Sequence, residues 1–225
     1  MSRVEQPAGV RGSLKWIQRA VNERPDTLDG PILERLDGAR RIDWLSPLAA
    51  DQYAEYRDAD FLDRVGASGL KSDLAAFWPR RGPQWDALAR TDKGDVLLIE
   101  AKAHVAEMLS PATQASEVSR AQIDRALALT AEALGAAPKA PWAEAFYQLA
   151  NRLALLWFLR SRGQAAWLLL VNFVGDHEMK GPKSAAEWEA AYLVAWHVMG
   201  LPSRHPLSNY VLHLHPPVAS LEHAA

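Results

Sequence analysis

The sequence predicts an α/β fold, a single domain with a central mixed β-sheet of about four to six strands flanked by helices. Three observations predict it. Val96-Leu97-Leu98-Ile99 and the run from Ala165 to Val174 are apolar stretches of strand length, as strands buried on both faces require. Ser119 to Leu134 and Trp142 to Arg160 carry apolar residues at helical spacing. Asp92-Lys93-Gly94 supplies the turn chemistry that joins Trp85–Arg90 to Val96–Ala103 as a hairpin.

Composition narrows the function classes. A chain of 225 residues can bury one substantial core. No apolar run approaches the ~20 residues that span a bilayer, and MSRVEQPAGVRGS lacks the apolar centre of a secretory signal. A cytoplasmic protein without membrane contacts is therefore expected. The absence of cysteine excludes disulfides and thiolate metal sites. A net charge of −2 excludes nucleic-acid binding through the whole surface, so any such contact needs local basic clusters. Arg80-Arg81, Arg40-Arg41 and the set Lys15, Arg19 and Arg24 are the available ones.

In chain order, residues 1–12 read as a flexible N-terminus, 13–218 as one domain and 219–225 as a frayed tail. Ser13 is placed to cap a helix from Leu14 to Glu23, which Pro25 ends. A short helical piece, Ile32 to Leu36, precedes a strand from Arg41 to Leu45 closed by Pro47. Ala49 to Val65 reads as a helix with Tyr53, Tyr56, Leu62 and Val65 on its apolar side. Asp73 to Trp78 fits either strand or helix. Leu134 closes the register Ile123, Leu127, Thr130 of the next helix. Ser184-x-x-Glu187 is a capping box, followed by a core face of Trp188, Tyr192, Ala195 and Met199 that Gly200 stops. Asn209 to His215 is the last expected strand.

The hairpin carries the chemistry. After its apolar run the second strand places Glu100 and Lys102 two apart, so both charges share a face, with Ala101 and Ala103 on the other. On the first strand Asp86, Leu88 and Arg90 share a face. The register that buries the apolar runs lets Asp86 face Glu100 and Lys102. Two carboxylates and an amine so placed can hold a divalent cation and a water, because Mg²⁺ takes hard oxygen ligands and keeps several waters. A solvated ion pair on an edge hairpin is the plain alternative.

Asp86, followed by Glu100-Ala101-Lys102 on the next strand, resembles the active-site signature of the PD-(D/E)XK nuclease superfamily, the restriction-endonuclease-like fold. Trp85 stands where the family has proline before the first acidic residue. The resemblance covers about a third of the chain and implies a restriction-endonuclease-like core. It implies Asp86, Glu100 and the Ala101 backbone carbonyl as ligands of Mg²⁺ or Mn²⁺, and Lys102 as the residue that orients or deprotonates the attacking water. A helix before the core sheet often supplies a further acidic ligand in this family, and Glu55 is the position nominated, ahead of Glu34 and Glu23. The alternative is that Glu55 joins Asp51, Asp58, Asp60 and Asp63 in a solvated face. A homodimer is compatible with it, since cutting both strands of a duplex often uses two sites.

Around this centre, Arg80 and Arg81 sit just upstream of Asp86, and guanidinium forks suit phosphate oxygens. His104 falls on the Glu100 and Lys102 face, and Gln122 is a polar candidate on the helix behind. Tyr147, Gln148, Asn151 and Arg152 make one polar patch at i, i+3 and i+4 spacing on an otherwise apolar helix. Some exonuclease-like members of the superfamily carry a helical Gln that contacts the site. Gln148 matches it, while the tyrosine four positions on is Arg152 here. His213 and His215 have a spacing a metal could use, without a third ligand in view. The expected function is a metal-dependent phosphodiester hydrolase acting on nucleic acid, DNA before RNA. The alternative is a catalytically silent nuclease-fold module that binds nucleic acid or protein.

Overall fold

Five strands form the central sheet of the computed structural model, which describes residues 2–109 and 112–222. In chain order the elements are β1 (Arg3–Val4), α1 (Gly12–Asn22), α2 (Asp26–Leu33), β2 (Ile42–Ser46), β3 (Glu55–Tyr56), α3 (Asp58–Arg64) and α4 (Lys71–Phe77). The hairpin β4 (Ala87–Thr91) and β5 (Val96–Lys102) follows. Then come α5 (Glu117–Ala133), α6 (Tyr147–Ser161), β6 (Ala166–Asn172), α7 (Ala185–Met199), β7 (Val211–Leu214) and α8 (Ala219–Glu222). The sheet order is β2-β4-β5-β6-β7, with β1 and β3 forming a separate two-stranded pair. β2, β4 and β5 run antiparallel in turn, and β6 and β7 continue parallel to β5. The chain is thus a single mixed α/β domain, as the apolar runs and helical periods predict.

Side-chain alternation splits the core into two layers. Leu88, Leu98, Leu168 and Leu170 point to one face and pack with residues of α3 to α7. Ala87, Ala89, Leu97, Ile99, Leu169 and Val171 point to the other and pack with α1, α2 and α8. β5 lies between β4 and β6, so nothing on it is an edge residue. The pairs Ala87↔Ile99 and Leu88↔Leu98 carry Asp86 to the level of Glu100, and Lys102 lies beside Asn172 of β6.

Several sequence expectations hold closely. Ile123, Leu127, Thr130 and Leu134 are all buried, as are Trp188, Tyr192, Ala195 and Met199. Ser184 caps α7 by accepting from the Glu187 N–H, and Gly200 ends it at φ 67°. Of the stretch Asp73 to Trp78, residues 73–77 are helical within α4, and Trp78 is extended just beyond its end.

Others are corrected. Ala49–Val65 is not one helix. Gln52 and Tyr53 adopt left-handed backbone, at φ 54° and 50°, and Glu55–Tyr56 pairs with Arg3–Val4 instead. The Asp51 carboxylate explains the preference, since it gathers Arg3, Arg64 and the Tyr56 hydroxyl, a tertiary network that outweighs local helix propensity. Arg3–Val4 lies within residues 1–12, the stretch expected to be a flexible N-terminus. Ser13 does not cap α1, which begins at Gly12, and its hydroxyl donates to Glu107. The helix expected from Trp142 begins at Tyr147, after Phe146 at φ 55°. In the expected tail, Ala219–Glu222 is helical with Leu221 fully buried, while residues 223–225 lie outside the described set. No helix among the described residues is long and apolar enough to cross a membrane.

Candidate active site

The level of Asp86 and Glu100 opens into a cleft of about 1070 Å³, and Asp86, Glu100, Ala101 and Lys102 all line it. Glu100 is 2 % exposed and Lys102 4 %, so the solvated edge pair is ruled out. Charges this deep must be paired to be tolerated, and both Glu100 oxygens are paired. Lys102 Nζ donates to Glu100 Oε1 at 2.8 Å and to Gln148 Oε1 at 2.8 Å. Arg152 Nε donates to Glu100 Oε2 at 2.6 Å. Its other nitrogens reach Asn151 Oδ1 at 3.0 Å and the Gln84 carbonyl at 2.6 Å, and the guanidinium lies over the Trp85 ring.

Asp86, half-buried at the cleft wall, accepts the Ala101 N–H at 2.7 Å. Glu55 is buried beside it and accepts from the side-chain amides of Gln6 (3.1 Å) and Gln84. Both therefore face neutral donors, whereas Glu100 holds the two cations. The titration behaviour follows. Burial pushes the Asp86 carboxyl well above the usual range, and the Glu100 and Glu55 carboxylates push the same way against Arg152. Burial also raises Glu55, with Gln84 and Gln6 opposing it. Burial alone would raise Glu100 too, but Arg152 and Lys102 overcome it and hold its carboxyl below the usual range.

These shifts set a stability prediction. A carboxyl raised in the folded state adds stability below its ordinary pKa, and that stability is lost as pH climbs towards the raised value. Glu100, being lowered, works oppositely and stabilises on the alkaline side. In metal-free protein Asp86→Asn should therefore raise the melting temperature at pH 7, by about 0.5–2 kcal/mol of stability. The gain should shrink towards pH 4. A gain that does not change with pH contradicts the charge argument.

The remaining sequence candidates separate. Glu55 reaches the cleft from β3, not from a helix. Arg80 and Arg81 stand exposed at its rim, and neither guanidinium forms an ion pair among the described residues. Their turn is held from below. The Asp58 carboxylate accepts the Arg81 N–H at 3.1 Å and the Gly82 N–H at 2.8 Å, and Arg81 sits at φ 63°. Tyr147, Gln148, Asn151 and Arg152 all line the cleft, so the patch on α6 faces the site. Gln148 serves Lys102 directly.

Others fall elsewhere. Gln122 ties α5 to the carbonyls of Ala75 and Ala76. His104 caps the turn at Val105–Met108 through a reciprocal box with Glu107. Arg41 pairs with Asp43, and Arg24 with Asp26, away from the cleft. His213 packs edge-on to Tyr192 and stacks near His215, and burial lowers it to about 4. Sequence spacing missed Gln6 and Gln84 as partners of Glu55. Nothing local marks them, because both act through tertiary contact.

No group of three or more His, Cys, Asp or Glu side chains among the described residues is arranged to hold a metal. Asp86 and Glu100 with the Ala101 carbonyl, and Glu55 nearby, remain an all-oxygen set that suits an ion keeping several waters. Asp86 and Glu55 accept from neutral N–H donors, while the two cations go to Glu100. On donor chemistry alone, this oxygen set is of the type that Mg²⁺ or Mn²⁺ takes. No protein-family model, curated protein or solved structure matches the chain.

Proposed function

We propose that the chain is a metal-dependent phosphodiester hydrolase of the PD-(D/E)XK kind, acting on nucleic acid, with DNA as its substrate. One observation carries this reading: Asp86, Glu100 and Lys102 converge, buried or half-buried, on the wall of one large cleft. The five-stranded mixed sheet flanked by helices supports the restriction-endonuclease-like part of it.

Asp86, Glu100 and the Ala101 carbonyl would hold the ion, with Glu55 as a further acidic neighbour. When bound, a divalent cation polarises a phosphodiester and stabilises the leaving oxygen. Lys102 has three N–H donors and spends two on Glu100 and Gln148, which leaves one to orient the attacking water. Gln148 thus positions Lys102. Arg80 and Arg81 would clamp the phosphate backbone at the rim, on a turn that Asp58 sets in advance.

Incubating the protein with labelled DNA and RNA in Mg²⁺, Mn²⁺ or EDTA tests this. Cutting of DNA that EDTA abolishes is the expected result, and no cutting under either metal refutes it. Arg80→Ala and Arg81→Ala should each weaken DNA binding in EDTA across all sequences. Each should lower the slope of log K against log salt by about one, as loss of one phosphate contact does. An unchanged slope removes the clamp.

A second reading is a silent binding module on the same scaffold. It is favoured by one feature, that both Glu100 oxygens are already taken by Lys102 and Arg152. A protein that binds DNA but no divalent ion by calorimetry would decide for it.

A further inference from the structure

Five ionisable groups meet at the cleft floor, and the cations are shared unevenly among the carboxylates. Arg152 and Lys102 both spend their charge on Glu100, at 2.6 and 2.8 Å. Asp86 and Glu55 receive neutral N–H donors. Arg152 is also fixed. It is 3 % exposed, bonded to Asn151 Oδ1 and the Gln84 carbonyl, and stacked 4.6 Å from the centre of the Trp85 ring. The guanidinium therefore places a positive charge at one fixed point in the site.

We infer that Arg152 is a resident cation that competes with the divalent ion for Glu100 and thereby sets how tightly the site takes its metal. The inference rests on the hydrolase reading of the cleft. Its physical basis is direct. Glu100 Oε2 can serve the Arg152 N–H or a metal, and a bound divalent ion would also meet the repulsion of a guanidinium that its other bonds hold in place. Arg152 is therefore a positioning residue whose charge tunes occupancy. With it, the five groups sum to −1 when fully ionised. Without it they sum to −2, and a divalent ion neutralises the floor. The same arrangement makes a contrary outcome available. If Arg152 serves only to hold Glu100 in the right pose for a metal, its removal loosens that ligand and weakens binding.

Calorimetric titration of Mn²⁺ into the full chain separates the two. Arg152→Gln should bind Mn²⁺ at least about tenfold more tightly than the parent, equivalent to about 1.4 kcal/mol. Arg152→Lys, which keeps the charge, should stay within about threefold of the parent. Arg152→Met keeps an apolar stem over Trp85, and it takes the place of the Gln variant if circular dichroism shows the latter unfolded. As a second readout, Mn²⁺ should raise the melting temperature of the neutral variant more than that of the parent. If the parent binds Mn²⁺ and the neutral variant binds it equally or less tightly, the competition is overturned and the hydrolase reading stands. If no protein binds Mn²⁺, both are overturned.

Discussion

Lys102→Ala and Asp86→Ala are each expected to slow metal-dependent DNA cleavage by roughly 10²–10⁴-fold, the range for loss of a positioned proton-handling group. The two losses have different origins. Lys102 is the amine that Glu100 and Gln148 hold at the cleft, and under the proposed hydrolase its removal takes away the orientation of water. Asp86 is the carboxylate with a neutral backbone donor as its hydrogen-bond partner, and under the proposed hydrolase its removal takes away an ion ligand. Neither loss should travel through unfolding. Asp86 is a charge that burial disfavours, and removing it relieves Glu100 and Glu55. Lys102→Ala leaves Glu100 still paired with Arg152. Lys102→Met, which refills the volume, provides a check that the loss is chemical. Stopped-time cleavage of labelled duplex at saturating Mg²⁺, with melting curves of each variant, reads both quantities. Variants that fold and cut at the parent's rate remove these residues from the chemistry.

The largest stability effect is expected at Trp85. It is completely buried, meets Phe61 edge-on at 6.2 Å and carries the Arg152 guanidinium on its face. Trp85→Ala should cost about 3–5 kcal/mol, the loss of a large core aromatic together with the cavity it leaves. Trp85→Phe should cost far less. The indole N–H has no hydrogen-bond partner among the described residues, so phenylalanine gives up volume and no bond. Urea unfolding measures both midpoints. A Trp85→Phe loss as large as that of Trp85→Ala would mean that the N–H holds a partner after all. The position also precedes Asp86, so the packing of this ring helps fix where that carboxylate stands.

The run Val96-Leu97-Leu98-Ile99 with its Asp-Lys-Gly turn was enough to place β5 inside the sheet, because only a strand covered on both faces tolerates it. Period-2 alternation then put Glu100 and Lys102 together, and the i, i+3, i+4 spacing on α6 put Gln148 and Arg152 on one side. Those rules are local, and they held. Glu55 illustrates what local rules miss. Its neighbours read as a helix, yet it sits in a two-residue strand whose partner, Arg3–Val4, lies some fifty positions away. The side-chain amides around it come from Gln6 and Gln84, and its coupling to Asp86 exists only after the sheet has formed. The exchange by which Arg152 takes up Glu100 is likewise invisible in spacing alone, since it requires α6 to be laid across β5 at one depth.

The measurement that tests the central claim most directly is cleavage of labelled DNA by the parent and by Lys102→Ala, side by side, in Mg²⁺ and in EDTA. The account predicts cutting by the parent in Mg²⁺ alone and a loss of roughly 10²-fold or more in the variant. Equal cutting by both proteins, or none by the parent with Mg²⁺ or Mn²⁺ present, would contradict it.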